Sequence, residues 1–359
     1  MSGRLKIFGI IAALVMVVAL SPRIAAAWLL NSANIKIAYA ASLPQRSPLG
    51  FSALDDAEND LNQARGLAAL ARAPLAQARV FLQRGDAAGA VRALQAAGSA
   101  LNTDSVAHWV WAEAAWQSNQ PTVAFEQWRA AGAFEYFSQQ MHRAQDAHHW
   151  QSAIDSARIA VGIDPQSADA HLVLGDALSR QDINNPEAAR ELARAQQLTS
   201  IPDLLSAILS RQGEILASQG KFQTAMDAFQ HARAIAPIDA RPRTGYALAL
   251  LKLQPSATDQ AVALLTQVVG DSPWYTAAYI ALANIAETKG DLQGAEEWYQ
   301  KGLARNPDNP DLLLALGQFY ARQNRVAEAK ATLSLAMAHE TRIDNLEAIV
   351  DALAKLKMK

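Results

Sequence analysis

The chain has 359 residues, 51% of them hydrophobic, a formal net charge of -2 and no cysteine. This is ample for a large core. The lack of cysteine excludes disulfides, thiolate nucleophiles, cysteine zinc sites and an acylated lipoprotein cysteine, and near-neutrality argues against a nucleic-acid partner.

At the N-terminus, Arg4 and Lys6 precede an uncharged run of fourteen residues, Ile7 to Leu20. As a helix that run spans about 21 Å, short of the roughly 30 Å hydrocarbon core of a bilayer. Two readings follow. Residues 1–24 form a signal anchor, or they form a signal peptide whose helix Pro22 breaks, with Ala25, Ala26 and Ala27 at the cleavage site. The anchor is preferred, because Ala25 to Ala41 reads as a helix that opens the following array, and a cut at Ala27 would fray it. Trp28 would then sit at the membrane interface. With Arg4 and Lys6 retained in the cytoplasm, the rest of the chain is expected outside it. Cleavage would instead release a secreted or periplasmic protein.

A small-residue pattern recurs beyond this segment. Ala90, Ala124, Ala153, Ala188, Ala225, Ala261, Ala295 and Ala329 are separated by 34, 29, 35, 37, 36, 34 and 34 residues. Each opens the second helix of a helix pair. The longer spacings are assigned to proline-containing inserts at Asn184-Asn185-Pro186 and Arg241-Pro242. Gly175 and Gly317 mark positions where paired helices cross closely. Phe229, Leu265, Tyr299 and Leu333 fill the gaps between pairs. Gly220 and Gly290 mark turns within a pair, where a permissive backbone is useful. Pro237, Pro273 and Pro307 fall at repeat junctions. Asn309 reads as a helix cap before Pro310. Ala57, Leu61 and Ala64 repeat the second-helix pattern upstream, so residues 25–73 read as a degenerate first repeat with a loop at Ser42 to Ser52. Residues 74–341 read as about eight pairs. Residues 342–359 read as a capping helix whose apolar face is Ile343, Leu346, Val350, Leu353 and Leu356.

This pattern resembles the tetratricopeptide repeat (TPR) family, and among its members the bacterial membrane-tethered or exported ones. The resemblance implies an all-α fold: an α-solenoid of helix pairs, stable only as an array, preceded by the hydrophobic N-terminal helix. The family's large residue early in the first helix is Gly245 in the copy between residues 241 and 274, so that copy is expected to pack loosely. A concave groove lined by first helices is also implied. By register it carries Trp109, Glu113, Trp116, His142, Asp176, Ser210, Glu214, Ile280, Asn284, Glu287, Leu314 and Gln318. The mixture of acids, amides and apolar surface suits proteins or extended peptides as partners. The family's Lys/Asn carboxylate clamp is missing, since Leu172, Ser210, Tyr246, Ile280 and Leu314 stand at its positions.

The remaining features yield no chemistry. The aromatic-dense stretch Trp109 to Trp150 is read as filling a shortened repeat rather than as a glycan-binding strip. His148 and His149 are adjacent and point about 100° apart on a helix, a poor chelating pair. His339-Glu340 lacks the second histidine of a zinc-protease motif, with Ile343 in its place. No cofactor, metal or enzymatic activity is expected. The chain is read as a membrane-tethered interaction scaffold, with a binding or assembly factor for secreted polysaccharide or envelope machinery as the alternative.

Overall fold

The computed structural model describes the backbone of residues 2–44 and 47–357, and the side chains of residues 22–44, 47–342 and 344–356. The described residues are helical with short turns and contain no strand. They fall into two compact units, Met1–Glu135 with Gly162–Asp164, and Tyr136–Val161 with Pro165–Lys359. The side chains of the apolar run, and with them its reading as anchor or signal, lie outside the described residues. Among the described residues no helix is long and apolar enough to cross a membrane.

The first unit holds α1 (Ser2–Ser42), α2 (Pro48–Leu67), α3 (Ala73–Gln83), α4 (Ala87–Ala96), α5 (Ser105–Gln117) and α6 (Pro121–Ala130). Two expectations are corrected here. Helix α1 runs through Pro22 without ending. A proline removes one backbone donor, and helical turns on either side can carry the chain past that loss. The loop expected up to Ser52 ends early, because Pro48 opens α2 at a position where its missing N–H costs nothing. Ala33, Ile37 and Ala40 of α1 pack on Ala53, Leu54, Ala57 and Leu61 of α2 and on Ala76 and Val80 of α3.

The second unit holds most of α7 (Phe134–Asp146) and α8 (Trp150–Ile163), then α9 (Ala168–Gln181), α10 (Pro186–Leu198), α11 (Pro202–Ser218), α12 (Phe222–Ile235), α13 (Ala240–Leu253), α14 (Thr258–Asp271), α15 (Thr276–Thr288), α16 (Leu292–Arg305), α17 (Pro310–Arg322), α18 (Val326–His339) and α19 (Ile343–Lys357). All eight marker alanines are at most 2% exposed, as helix crossings demand. A side chain on Gly175 would lie 2.7 Å from Leu192, and one on Gly317 would lie 2.7 Å from Leu333, so these crossings admit nothing larger. Asn309 caps α17 by accepting from the Leu312 amide at 3.0 Å.

Three further readings change. Arg241 and Pro242 lie inside α13 rather than in an insert, and the additional residues there form a 3-10 turn at Pro255–Ala257. The copy with Gly245 is not loose. A Cβ on that residue would lie 2.4 Å from the Phe229 ring, and the ring occupies the vacated space. On α19 the buried positions are Ile349 and Leu356, whereas Val350 is 53% exposed. The inward face therefore runs Leu346, Ile349, Leu353 and Leu356, and one 100° step carries Val350 outward. The side chains of Ile343 and Lys357 lie outside the described residues.

A polar clasp joins α18 to α19. Glu340, 8% exposed, accepts from the Thr341 and Arg342 amides, both at 2.9 Å. It also accepts from the Arg342 guanidinium at 2.7 Å and from Asn345 at 2.7 Å. Arg342 reaches on to Asp311 at 2.6 Å. Burial alone would raise the Glu340 pKa, but the donors from Arg342, Asn345 and Thr341 outweigh it and hold the carboxyl at about 2, against an ordinary 4.5. A depressed carboxylate pKa contributes stability above the unfolded value that is lost as pH falls towards the folded one. Protection of the α19 amides, taken relative to their intrinsic exchange rates, should therefore fall as pH drops from about 4.5 to about 2. Glu340→Gln should remove most of that pH dependence and cost on the order of 2 kcal/mol at neutral pH. Identical pH profiles for the two chains would refute the assignment.

Candidate functional site

Four helices of the second unit, α7, α9, α11 and α13, and the α18–α19 connection bring charged side chains around a cavity of about 440 Å³, to which α8 adds Trp150. Arg211 on α11 is the hub and is 7% exposed. Its Nε forms an ion pair with Asp176 of α9 at 2.5 Å, and its Nη1 donates to Glu214 at 2.6 Å. Its Nη2 donates to Ser179 Oγ at 3.1 Å, and Ser179 itself donates to the Asp176 carbonyl at 2.7 Å. Asp176 also accepts from Gln145 of α7 at 2.7 Å. One buried cation thus ties α9 to α11, and the shared aspartate draws in α7. Removing Arg211 or Asp176 would deprive the other's buried charge of its nearest partner, which is destabilising.

The rim is more open. His142 Nε2 lies 2.8 Å from the Asp169 carboxylate. That hydrogen bond raises the His142 pKa, burial opposes it, and the charge of Asp169 adds to the rise. His148 occupies the left-handed turn between α7 and α8, with φ 56. In other pairs this turn position is held by residues such as Gly220 and Gly290, with φ 76 and 81. A histidine there is uncommon among non-glycine residues. Its Nδ1 lies 2.6 Å from Asp344 at the start of α19, and its ring lies 4.6 Å from that of Trp150. Arg180 sits 5.5 Å above the Trp150 ring. Arg241 also lines the cavity, and among the described residues its exposed guanidinium has no ion-pair or hydrogen-bond partner.

The groove residues expected from sequence divide. His142, Asp176 and Glu214 come together at this cavity. Asn284 and Glu287 are engaged elsewhere: Asn284 accepts from the Tyr299 hydroxyl at 3.0 Å, and Glu287 holds Arg322 through two bonds of 2.8 Å. Gln318 lines a separate cavity of about 720 Å³ beside Asp351 and Lys355. Ile280 and Leu314 pack against the core around Tyr299 and Leu316. Ser210 is a correction, being fully buried. Trp109, Glu113 and Trp116 belong to α5 in the first unit, where Glu113 accepts from Gln117 at 2.8 Å and Trp116 lies 5.8 Å from Phe125 and 5.6 Å from Trp128. Within the aromatic stretch Trp128 and Phe137 are buried, at 1% and 8% exposed, whereas Trp116 and Tyr136 are 41% and 50% exposed; the stretch is thus core filling in part only.

Sequence reasoning missed Arg211, Asp169, Arg241 and Arg342. A signal was available for the first: Arg211 stands 35 residues after Asp176, and opposite charges one repeat apart on first helices face each other. Arg342 gave no such signal, because it reaches the cavity from the end of the array.

Comparison with known proteins agrees with the fold. Residues 139–200 and 246–310 match one tetratricopeptide repeat family model, and residues 288–356 match a second. Cellulose synthase operon protein C of Xanthomonas axonopodis pv. citri (strain 306) is 31% identical over 176 residues, which cover 45% of this chain and 11% of that protein. The chain thus aligns with a small fraction of that relative's length. Among solved structures, the human IFIT1 dimer with PPP-AAAA superposes with a TM-score of 0.50 at 14% identity, covering 86% of this chain and 78% of that one. A thermophilic TPR protein of Thermus thermophilus gives a TM-score of 0.45 at 19% identity, covering 52% of this chain and all of that one. The structural likenesses concern fold alone. With the repeats matched in sequence and the helix pairs seen in the structure, the chain is a tetratricopeptide-repeat protein.

Proposed function

We propose that this protein is an interaction scaffold that holds a polypeptide partner at the cavity of its second unit. We also propose that the N-terminal apolar run tethers it to a membrane, with the repeats outside the cytoplasm. One observation carries the binding reading. The cavity walls are locked by the Arg211 network, while Arg241 faces the same space without a carboxylate partner. A locked wall with one uncommitted cation suits recognition of an acidic or carbonyl-rich peptide segment at low ordering cost. The tether is supported by the uncharged run Ile7 to Leu20 after Arg4 and Lys6.

The test compares affinity capture by the wild-type chain with capture by Arg241→Glu, followed by titration of the captured partner. Reversing this cation should weaken binding about tenfold or more, without changing the unfolding midpoint. Equal affinity would overturn the assignment of the cavity. For the tether, alkaline phosphatase fused after Lys359 should be active, and the chain should stay in the membrane pellet after a carbonate wash. An inactive fusion would reverse the orientation. A second reading, assembly of secreted polysaccharide, draws on the partial similarity to cellulose synthase operon protein C. It would be supported if the captured partner belonged to polysaccharide-exporting machinery.

A further inference from the structure

Helix α1 has two apolar faces, and only one is used. Ala26, Ala33, Ile37 and Ala40 are buried, the last three in the core shared with α2 and α3. On the opposite side Ile24 is 64%, Trp28 69%, Ile35 63% and Tyr39 51% exposed. At 100° per residue these four fall within about 60° of arc. Between Ile24 and Ser42 the helix carries a single charge, Lys36, and that residue turns aside to pair with Asp60 on α2 at 2.7 Å. A long exposed face with no charge on it is not built for water.

The spacing along this face is specific. Ile24, Trp28, Asn31, Ile35, Ala38 and Ser42 follow each other at alternating steps of four and three. That is the seam of two helices wound about each other. In sequence the same steps continue back through Ser21, Val17, Leu14, Ile10 and Ile7, although almost any register would fit so apolar a run. Among the residues flanking the seam, Ala25, Ala27, Ser32 and Ala41 are small and permit close approach of a second helix, and Asn34 is half-buried at its margin.

We infer that a second copy of this chain covers the face, the two α1 helices lying parallel about a two-fold axis. Asn31 decides between occupants. An amide in the middle of the stripe would be unsatisfied against lipid, whereas across a two-fold axis it donates to and accepts from the second copy's Asn31. A single asparagine in an apolar seam also fixes register. The pairing is independent of the cavity in the second unit, and it leaves that cavity duplicated in each assembly.

The full chain lacks cysteine, so single-cysteine variants report one position each. Under mild oxidation, Ile24→Cys, Trp28→Cys, Asn31→Cys and Ile35→Cys should cross-link about tenfold faster than Arg23→Cys and Asp56→Cys, because only seam positions bring Cα atoms within disulfide reach. Light scattering of the wild-type chain in mild detergent should give the mass of two copies, and the doubly substituted W28E/I35E should give one with unchanged helical circular dichroism. Should that variant fail to fold, the cross-linking pattern still decides. A single-copy mass for the wild type, or cross-linking without the four-and-three periodicity, overturns the proposal. So does a single-copy chain whose position 28 takes up an apolar environment only when vesicles are added, since the occupant would then be the bilayer.

Discussion

Phe229→Ala should lower the stability of the second unit by about 3–5 kcal/mol, the usual range for emptying a phenylalanine site in a packed core. The ring is 1% exposed, and two glycines from neighbouring first helices make its pocket. A Cβ on Gly213 would lie 2.8 Å from the ring, and one on Gly245 would lie 2.4 Å from it. The site is thus over-determined from both sides. Gly245→Ala alone should cost roughly 1–3 kcal/mol by overpacking, and in a Phe229→Leu background it should cost much less. Urea midpoints of the four chains form the cycle. Additive losses would mean that ring and glycine do not share the space.

The second large effect is expected at Ala295. It is fully buried at the start of α16, in the core built from Tyr279, Tyr299, Leu312, Phe319 and Leu333. Ala295→Trp puts an indole where two helices touch. Added methylenes in such sites cost about 1–3 kcal/mol, and an indole adds far more volume, so a loss above about 3 kcal/mol is expected. The array has no independent folding unit smaller than its stacked pairs, so the lesion should also accelerate amide exchange in α15 and α17. An unchanged urea midpoint would show that Ala295 does not lie at a crossing.

The two effects share a cause, since a repeat array concentrates its packing at a few close crossings. The polar clasp at Glu340 and the Arg211 network work differently. They join elements that apolar packing leaves loosely specified, and through Asp176 and Arg342 they give the cavity its walls.

Much of this molecule was readable from residue types and intervals. The alanine series gave the helix pairs, because a close crossing tolerates only small side chains and therefore recurs with the repeat. Asn309 gave a helix start, because a side chain that caps an amide three residues on needs nothing beyond its own segment. Gly220 and Gly290 gave turns for an equally local reason. Tertiary structure alone decided the rest. Gly245 looked like a weakness until Phe229, from the preceding pair, was seen to fill the gap. Val350 lost its place to Ile349 because the docking angle of α19, not its spacing, selects the inward face. Ser210 left the groove because the neighbouring helices close over it. The cavity depends on Arg211, Arg241 and Arg342 arriving from three separate places in the chain. Intervals in a sequence report what each residue meets within its own repeat. They do not report the angle at which one repeat meets the next, and that angle determines which side chains share a space.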